Sequence, residues 1–81
     1  MDNFDFKQFG SRIRDARKKS NLTIEKLCEM LDISPSFLGS VERGESRISI
    51  EKLCKLSEVL NISTDYLLKG EDIYISYLSY L

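Results

Sequence analysis

The 81-residue sequence contains no histidine, and that absence removes the usual general base, the commonest metal ligand and every Ser/His or Cys/His nucleophile pair. Ordinary hydrolase chemistry is thereby not expected, nor is any enzyme activity, cofactor or metal site. Cysteine is scarce. Cys28 and Cys54 do not form a C-x-x-C pair, and each follows a leucine in an apolar helical stripe. They read as small buried hydrophobes, with a disulfide or redox switch as the alternative. No apolar stretch approaches the ~18 residues of a membrane span, and the start, Met-Asp-Asn-Phe, lacks the basic-then-apolar order of a secretion signal. A cytoplasmic location without membrane contact is the expectation. Before residue 72 no segment sustains the alternation of a strand.

What is present is enough for one small core: 42% hydrophobic residues, with 12 basic and 13 acidic side chains giving a formal charge of −1. A chain of this size buries only about two-thirds of its unfolded surface, so its helices need good caps or the help of a partner. The charge is unevenly placed. Lys7, Arg12, Arg14, Arg17, Lys18 and Lys19 face a single acid, Asp15, over residues 7–20, a local balance of +5 that leaves −6 for the rest. Such a first helix suits either a polyanion or plain solvent.

Apolar residues at Phe6, Phe9, Ile13 and Ala16 predict a helix from about Phe6 to Lys19. Thr23 caps a second helix that opens at Ile24, buries Leu27, Cys28 and Leu31, and stops at Asp32, with Ile33 as an apolar plug. Ser34 and Pro35 restart the chain as cap and first residue of a third helix, which runs to Arg43 and ends at Gly44. A fourth helix begins after Ser49. It carries apolar residues around much of its circumference, so a central position is expected, and Asn61 closes it. Ser63 begins a last short helix with Tyr66, Leu67 and Leu68, ended by Gly70. The expected fold is all-α, five short helices joined by tight connections. Ile-Glu-Lys-Leu-Cys occurs twice, at 24–28 and 50–54. Its flanks diverge at once, so it marks two similar helix starts and no solenoid repeat.

Residues 24–43 have the outline of a helix-turn-helix: two short helices, a tight turn, and a second helix capped by Ser and ended by Gly. With Leu38 and Val41 fixing its buried side, that second helix turns Ser36, Gly39, Ser40 and Arg43 outward. Three of the four are very small. A backbone bare of bulk can approach a groove floor closely, and a mid-helix Gly39 costs about 1 kcal/mol relative to Ala, which favours a close-approach reason over a plain solvated stripe. Phe37 lies half in and half out, suited either to a thymine methyl or to packing against helix four.

The run that opens Ile13-Arg-Asp-Ala-Arg-Lys-Lys-Ser-Asn-Leu-Thr and closes Ile-Ser-Pro-Ser-Phe-Leu-Gly-Ser-Val-Glu-Arg-Gly44 resembles the DNA-binding domain of the phage repressor and Cro (XRE-like) family. So does Ser49 to Leu68, which ends Asp-Tyr-Leu-Leu. The resemblance covers about residues 8–69. It implies a five-helix phage-repressor-like domain over 1–70 that binds double-stranded DNA, with Arg17 and Glu42 paired to lock the first helix onto the recognition helix. It also implies a phosphate anchor at Thr23 and the N–H groups beside it. Recognition residues implied for the third helix and its edge are Ser34, Pro35, Ser36, Gly39, Ser40 and Arg43, with Ser46 and Arg47 in the loop after it. Arg12 and Arg14 are expected to add phosphate contacts.

Two departures stand against the family pattern. Ile24 stands where relatives commonly have Gln, which there supports the phosphate contact, and Pro35 and Ser40 stand where many have Gln, Arg or Asn for base reading. Bidentate recognition by those longer side chains is worth about 1–3 kcal/mol per pair, more than a serine hydroxyl offers. Modest half-sites imply a dimer with recognition helices about 34 Å apart. Residues 71–81 supply a candidate seam, through Ile73, Tyr74, Ile75, Tyr77, Leu78, Tyr80 and Leu81. As a helix, Tyr74, Tyr77, Leu78 and Leu81 share a face; as a strand, Ile73, Ile75 and Tyr77 do. The Ile and Tyr content tilts toward an extended segment, and folding back onto the chain's own domain is the alternative to self-association. Two functions fit these features: a small dimeric repressor acting by operator occupancy, or the same fold used as a protein-interaction module, an antirepressor or adaptor with a regulatory protein partner.

Overall fold

Residues 4–71 are described by a computed structural model. They form five helices: α1 (Phe6–Lys19), α2 (Ile24–Leu31), α3 (Pro35–Glu42), α4 (Ile50–Leu60) and α5 (Thr64–Lys69). Each starts the same way. A residue with extended backbone turns its side-chain oxygen onto the N–H three residues ahead: Asp5 to Gln8, Thr23 to Lys26, Ser34 to Phe37, Ser49 to Lys52 and Ser63 to Tyr66, all at 3.0–3.2 Å. One otherwise orphaned donor per helix is thereby satisfied, typically worth about 1 kcal/mol. Their ends are equally local. Asp32, Asn61 and Gly70 adopt the left-handed conformation after α2, α4 and α5, as do Asn21 and Gly44 in the connections after α1 and α3. Asn and Asp tolerate that region and glycine enters it freely. The chain therefore reverses within a few residues.

Every helix feeds one core: Phe9, Ile13 and Ala16 from α1, Leu27, Cys28 and Leu31 from α2, Leu38 and Val41 from α3, Leu56 and Leu60 from α4, and Leu67 from α5. Cationic side chains close two helix ends. Lys52 Nζ donates to the Leu31 carbonyl at 2.7 Å, at the end of α2, and Arg12 Nη1 donates to the Leu67 carbonyl at 3.0 Å, in α5. Both complement the negative end of a helix dipole.

Two expectations need correction. Helix α4 is not central: only Leu56 and Leu60 are buried, while Leu53 and Val59 are half-buried and Ile50 is 80% exposed. Its apolar residues cover too wide an arc for the one stripe that α2 and α5 can cover. Cys54 lies on the uncovered part and is exposed, whereas Cys28 is buried. Both thiols are free, so these two cysteines form no disulfide.

One close approach fixes how α1 meets α3. A Cβ built at Gly10 would collide with the carbonyl oxygens of Val41 and Glu42, so only glycine lets the end of α3 lie directly on α1. That contact sets the angle at which α3 leaves the core.

Candidate nucleic-acid interface

Helix α3 sits on the core through Leu38 and Val41, both fully buried. The opposite side of the helix is open: Pro35 and Ser36 are exposed, Gly39 and Ser40 half-buried, and Arg43 exposed. Gly39 contrasts with Gly10. A Cβ at Gly39 would meet only the Arg43 Nη1 atom, at 3.1 Å, the movable end of a flexible side chain. Packing among the described residues therefore gives no reason for glycine there. A mid-helix glycine that costs about 1 kcal/mol and serves no internal contact leaves backbone accessible from outside.

Arg17 and Glu42 lock this helix from behind. Arg17 Nε and Nη2 donate to Glu42 Oε2 and Oε1 at 2.8 and 3.2 Å, and Nη1 donates to the Leu22 carbonyl at 3.0 Å. Both side chains are more than nine-tenths buried. The fork-on-fork geometry is the arrangement in which a guanidinium best satisfies a carboxylate. Hydrogen bonding to Glu42 raises the Arg17 pKa above its already high ordinary value, against the opposing effect of burial. The pair stays charged at any accessible alkaline pH on the arginine side. It ties α1, the connection before α2 and the end of α3 to one another.

Beside the pair is a hollow of about 260 Å³ lined by Arg14, Arg17, Ile24, Gly39, Glu42 and Arg43. The N-terminal turn of α2, capped by Thr23, thus meets the small-residue side of α3, with the exposed Arg14 on its rim. Thr23 spends its hydroxyl on Lys26 N, so what it offers a ligand is the remaining N–H groups of that first turn. Ile24 is half-buried against the core and brings no polar group. Glu25, also in the first turn, opposes an anion there. Ser34 is likewise engaged, its Oγ accepting from Phe37 N. Phe37 packs against the core as a half-buried residue.

The remaining cations fall into two groups. Arg43 extends from the end of α3, with Nη2 3.1 Å from Glu45 Oε1 and 3.4 Å from Ser40 Oγ. Its ion pair is exposed on both sides, and such pairs are worth about 0–1 kcal/mol, so an incoming anion displaces Glu45 at little cost. Arg47 is exposed, and its guanidinium lies 4.8 Å over the Phe6 ring, an arrangement that steadies the cation without neutralising it. Ser46 is half-buried between them. Arg12 does not join this surface. Its guanidinium is used on the Leu67 carbonyl and lies against Gly70, which corrects its expected role as a phosphate contact.

Sequence reasoning missed three of these contacts: Arg12 on α5, Arg47 on Phe6, and Glu45 on Arg43. Only the last had a local signal, the spacing of two residues. The seam residues proposed at 73–81 lie outside the described residues. Among the described residues no cluster of three metal-ligating side chains occurs, and no helix is long and apolar enough to cross a membrane.

A helix-turn-helix family profile (HTH_3) matches residues 13–67. The uncharacterized HTH-type transcriptional regulator YazB of Bacillus subtilis is 41% identical over 63 residues, 78% of this chain and 91% of YazB. Two further B. subtilis relatives are matched over only about half their length, 50% for the regulator ImmR and 57% for the prophage-derived YonR. Among solved structures, the P22 c2 repressor in complex with a synthetic operator superposes with a TM-score of 0.74 and 40% identity, over 78% of this chain and 96% of that one. SinR of B. subtilis matches both in complex with DNA, at TM-score 0.70, 35% identity and coverages of 75% and 98%, and in complex with SinI, at TM-score 0.70, 31% identity and coverages of 89% and 75%.

Proposed function

Because this chain belongs to the helix-turn-helix family of phage-repressor-like (XRE-like) regulators, we propose that it is a non-enzymatic, sequence-specific DNA-binding transcriptional regulator, a small repressor that acts by occupying its operator. The carrying observation is the outward side of α3, free of bulk at Ser36, Gly39 and Ser40, with Arg43 at its end and the buried Arg17–Glu42 pair behind it. In this reading α3 enters the major groove. Pro35, Ser36 and Ser40 lie at base edges, Gly39 lets the backbone approach, and Ser34, Arg43, Ser46 and Arg47 lie at phosphate or base edge. The first turn of α2, at Thr23, takes a phosphate on its N–H groups. The reading places the chain in the cytoplasm, where it meets double-stranded DNA.

Serine hydroxyls discriminate bases less than the bidentate side chains they replace, so useful affinity calls for two copies on successive half-sites. Residues 73–81 are the proposed seam, with Tyr74, Tyr77 and Leu78 central to it. Selection of duplexes from a random pool, combined with mass determination in solution, tests the reading. The expected result is a two-fold related consensus bound by a dimer. About six to eight phosphate contacts across both copies give a log–log salt slope of about −5 to −7. A flat salt response, or no enrichment at low salt, contradicts it.

A second reading has its own support in the likeness to SinR in its complex with SinI and in the acids Glu25, Glu29 and Asp32, which line a hollow with the start of α3, Glu51 and Glu58 standing beside Lys52 and Lys55 on α4. It takes the fold as a protein-interaction module, an antirepressor or adaptor. A partner protein that co-purifies while no duplex is shifted at low salt favours it.

A further inference from the structure

On the surface where the start of α1 meets α4 and α5 lies an apolar groove of about 330 Å³, lined by Phe4, Phe6, Ile48, Ile50, Leu53 and Leu68, with Phe9 at its floor and Arg47 at its rim. Ile50 is 80% exposed. The aromatic wall is a set of packed rings, with Phe4 edge-on to Phe6 at 4.7 Å and tilted on Phe9 at 5.8 Å. An open groove with this much carbon in a domain this small calls for a cover. We propose that residues 73–81, Ile-Tyr-Ile-Ser-Tyr-Leu-Ser-Tyr-Leu, are that cover and dock in the groove of their own chain.

The argument rests on reach, composition and chemistry. Leu68 is both a groove wall and the next-to-last residue of α5, so the chain leaves that helix at the rim of the groove. Ile73 comes five residues later, within about 17 Å of Leu68 even at full extension. A segment tethered so closely meets the groove at an effective concentration in the millimolar range, which favours its own chain over a second copy. The segment is apolar enough to need burial, with seven of its nine residues Ile, Leu or Tyr. Tyrosine suits an open groove because the ring packs on phenylalanine while the hydroxyl keeps its water. Because the tail is apolar on more than one side, docking one face leaves another for contact with a second copy. The groove therefore serves as the floor on which the proposed seam is built, and docking itself does not depend on DNA binding.

Nuclear Overhauser spectra of the full chain without DNA test this, in a sample mixing isotope-labelled and unlabelled protein so that contacts within and between chains separate. The expected result is cross-peaks from the Ile50 and Leu68 methyls to the Tyr74 and Tyr77 rings within one chain, lost in Ile50→Lys while helix content holds. Ile50 is a solvent-facing position, and Tyr77→Ser, outside the five helices, is the second variant, expected to lose the same cross-peaks. Contacts seen only between chains place a second copy's tail in the groove and overturn the proposal. Absence of any contact, or cross-peaks unchanged in Ile50→Lys, overturns it too. Loss of operator binding in these variants is a separate observable, so failure of docking and failure of the regulatory reading stay distinguishable.

Discussion

The same five residues, Ile-Glu-Lys-Leu-Cys, open α2 and α4, and the fold treats them differently. Local structure is shared: Thr23 and Ser49 cap their helices alike, accepting from Lys26 N and Lys52 N at 3.0 and 3.2 Å. Burial is not. In α2, Leu27, Cys28 and Leu31 enter the core, whereas in α4 the buried residues are Leu56 and Leu60, and Cys54 is exposed. On a helical wheel of ~100° per residue the buried direction relative to the shared pentapeptide differs by roughly 90°. Lysine diverges as well: Lys52 reaches the Leu31 carbonyl, while Lys26 makes a surface contact of 4.0 Å with Glu29. Caps are written locally, but the side that becomes core is decided by the residues after the pentapeptide and by the neighbours available.

The largest expected effect lies on the α2–α3 side. Arg17→Ala leaves Glu42 charged and buried and removes the tie to Leu22, so it should lower stability by about 3–5 kcal/mol, read by urea denaturation. A second core change sharpens the contrast between the twins. Leu27→Ala should cost about 2–5 kcal/mol, whereas Leu53→Ala, at the equivalent position of α4, should cost about 1 kcal/mol. Equal losses would mean the two pentapeptides are equivalently packed and would undo the comparison.

The thiols give a smaller and chemically distinct test. Burial, then Glu25 and Glu42, push the Cys28 thiol above its ordinary pKa. The unfolded chain then loses that proton first, so this contribution to stability is intact below the ordinary thiol pKa of about 8.5 and declines as pH rises above it. Denaturation midpoints measured across that range should show the decline in the native protein and a smaller one in Cys28→Ala. At neutral pH an alkylating reagent should modify Cys54 promptly and reach Cys28 only on unfolding. The smallest effect is Cys54→Ser, expected to change stability by no more than about 0.5 kcal/mol.

Legibility in the sequence divides along the same line. Helix starts and ends were readable because Thr23, Ser34, Ser49 and Ser63 act on groups three residues away, and Asp32, Asn61 and Gly70 act on their own backbone. The outward stripe of α3 could be read from Leu38 and Val41, which are buried as helical spacing requires. Neither the place of α4 nor the exposure of Cys54 was readable, since an apolar circumference does not say which neighbour will cover it. Likewise, Arg12 meets Leu67 across 55 residues, and no periodicity links them. The Arg17–Glu42 contact, 25 residues apart, came from family resemblance; spacing alone does not reveal it.

The central claim, that the bare side of α3 lies close against DNA, is tested most directly by Gly39→Leu. Among the described residues the first added carbon meets only the movable end of the Arg43 side chain, and helix propensity improves by up to about 1 kcal/mol. The account predicts an unchanged or raised melting temperature together with at least a tenfold loss of affinity for a selected duplex, measured by fluorescence anisotropy. Full affinity in a folded Gly39→Leu protein would contradict it.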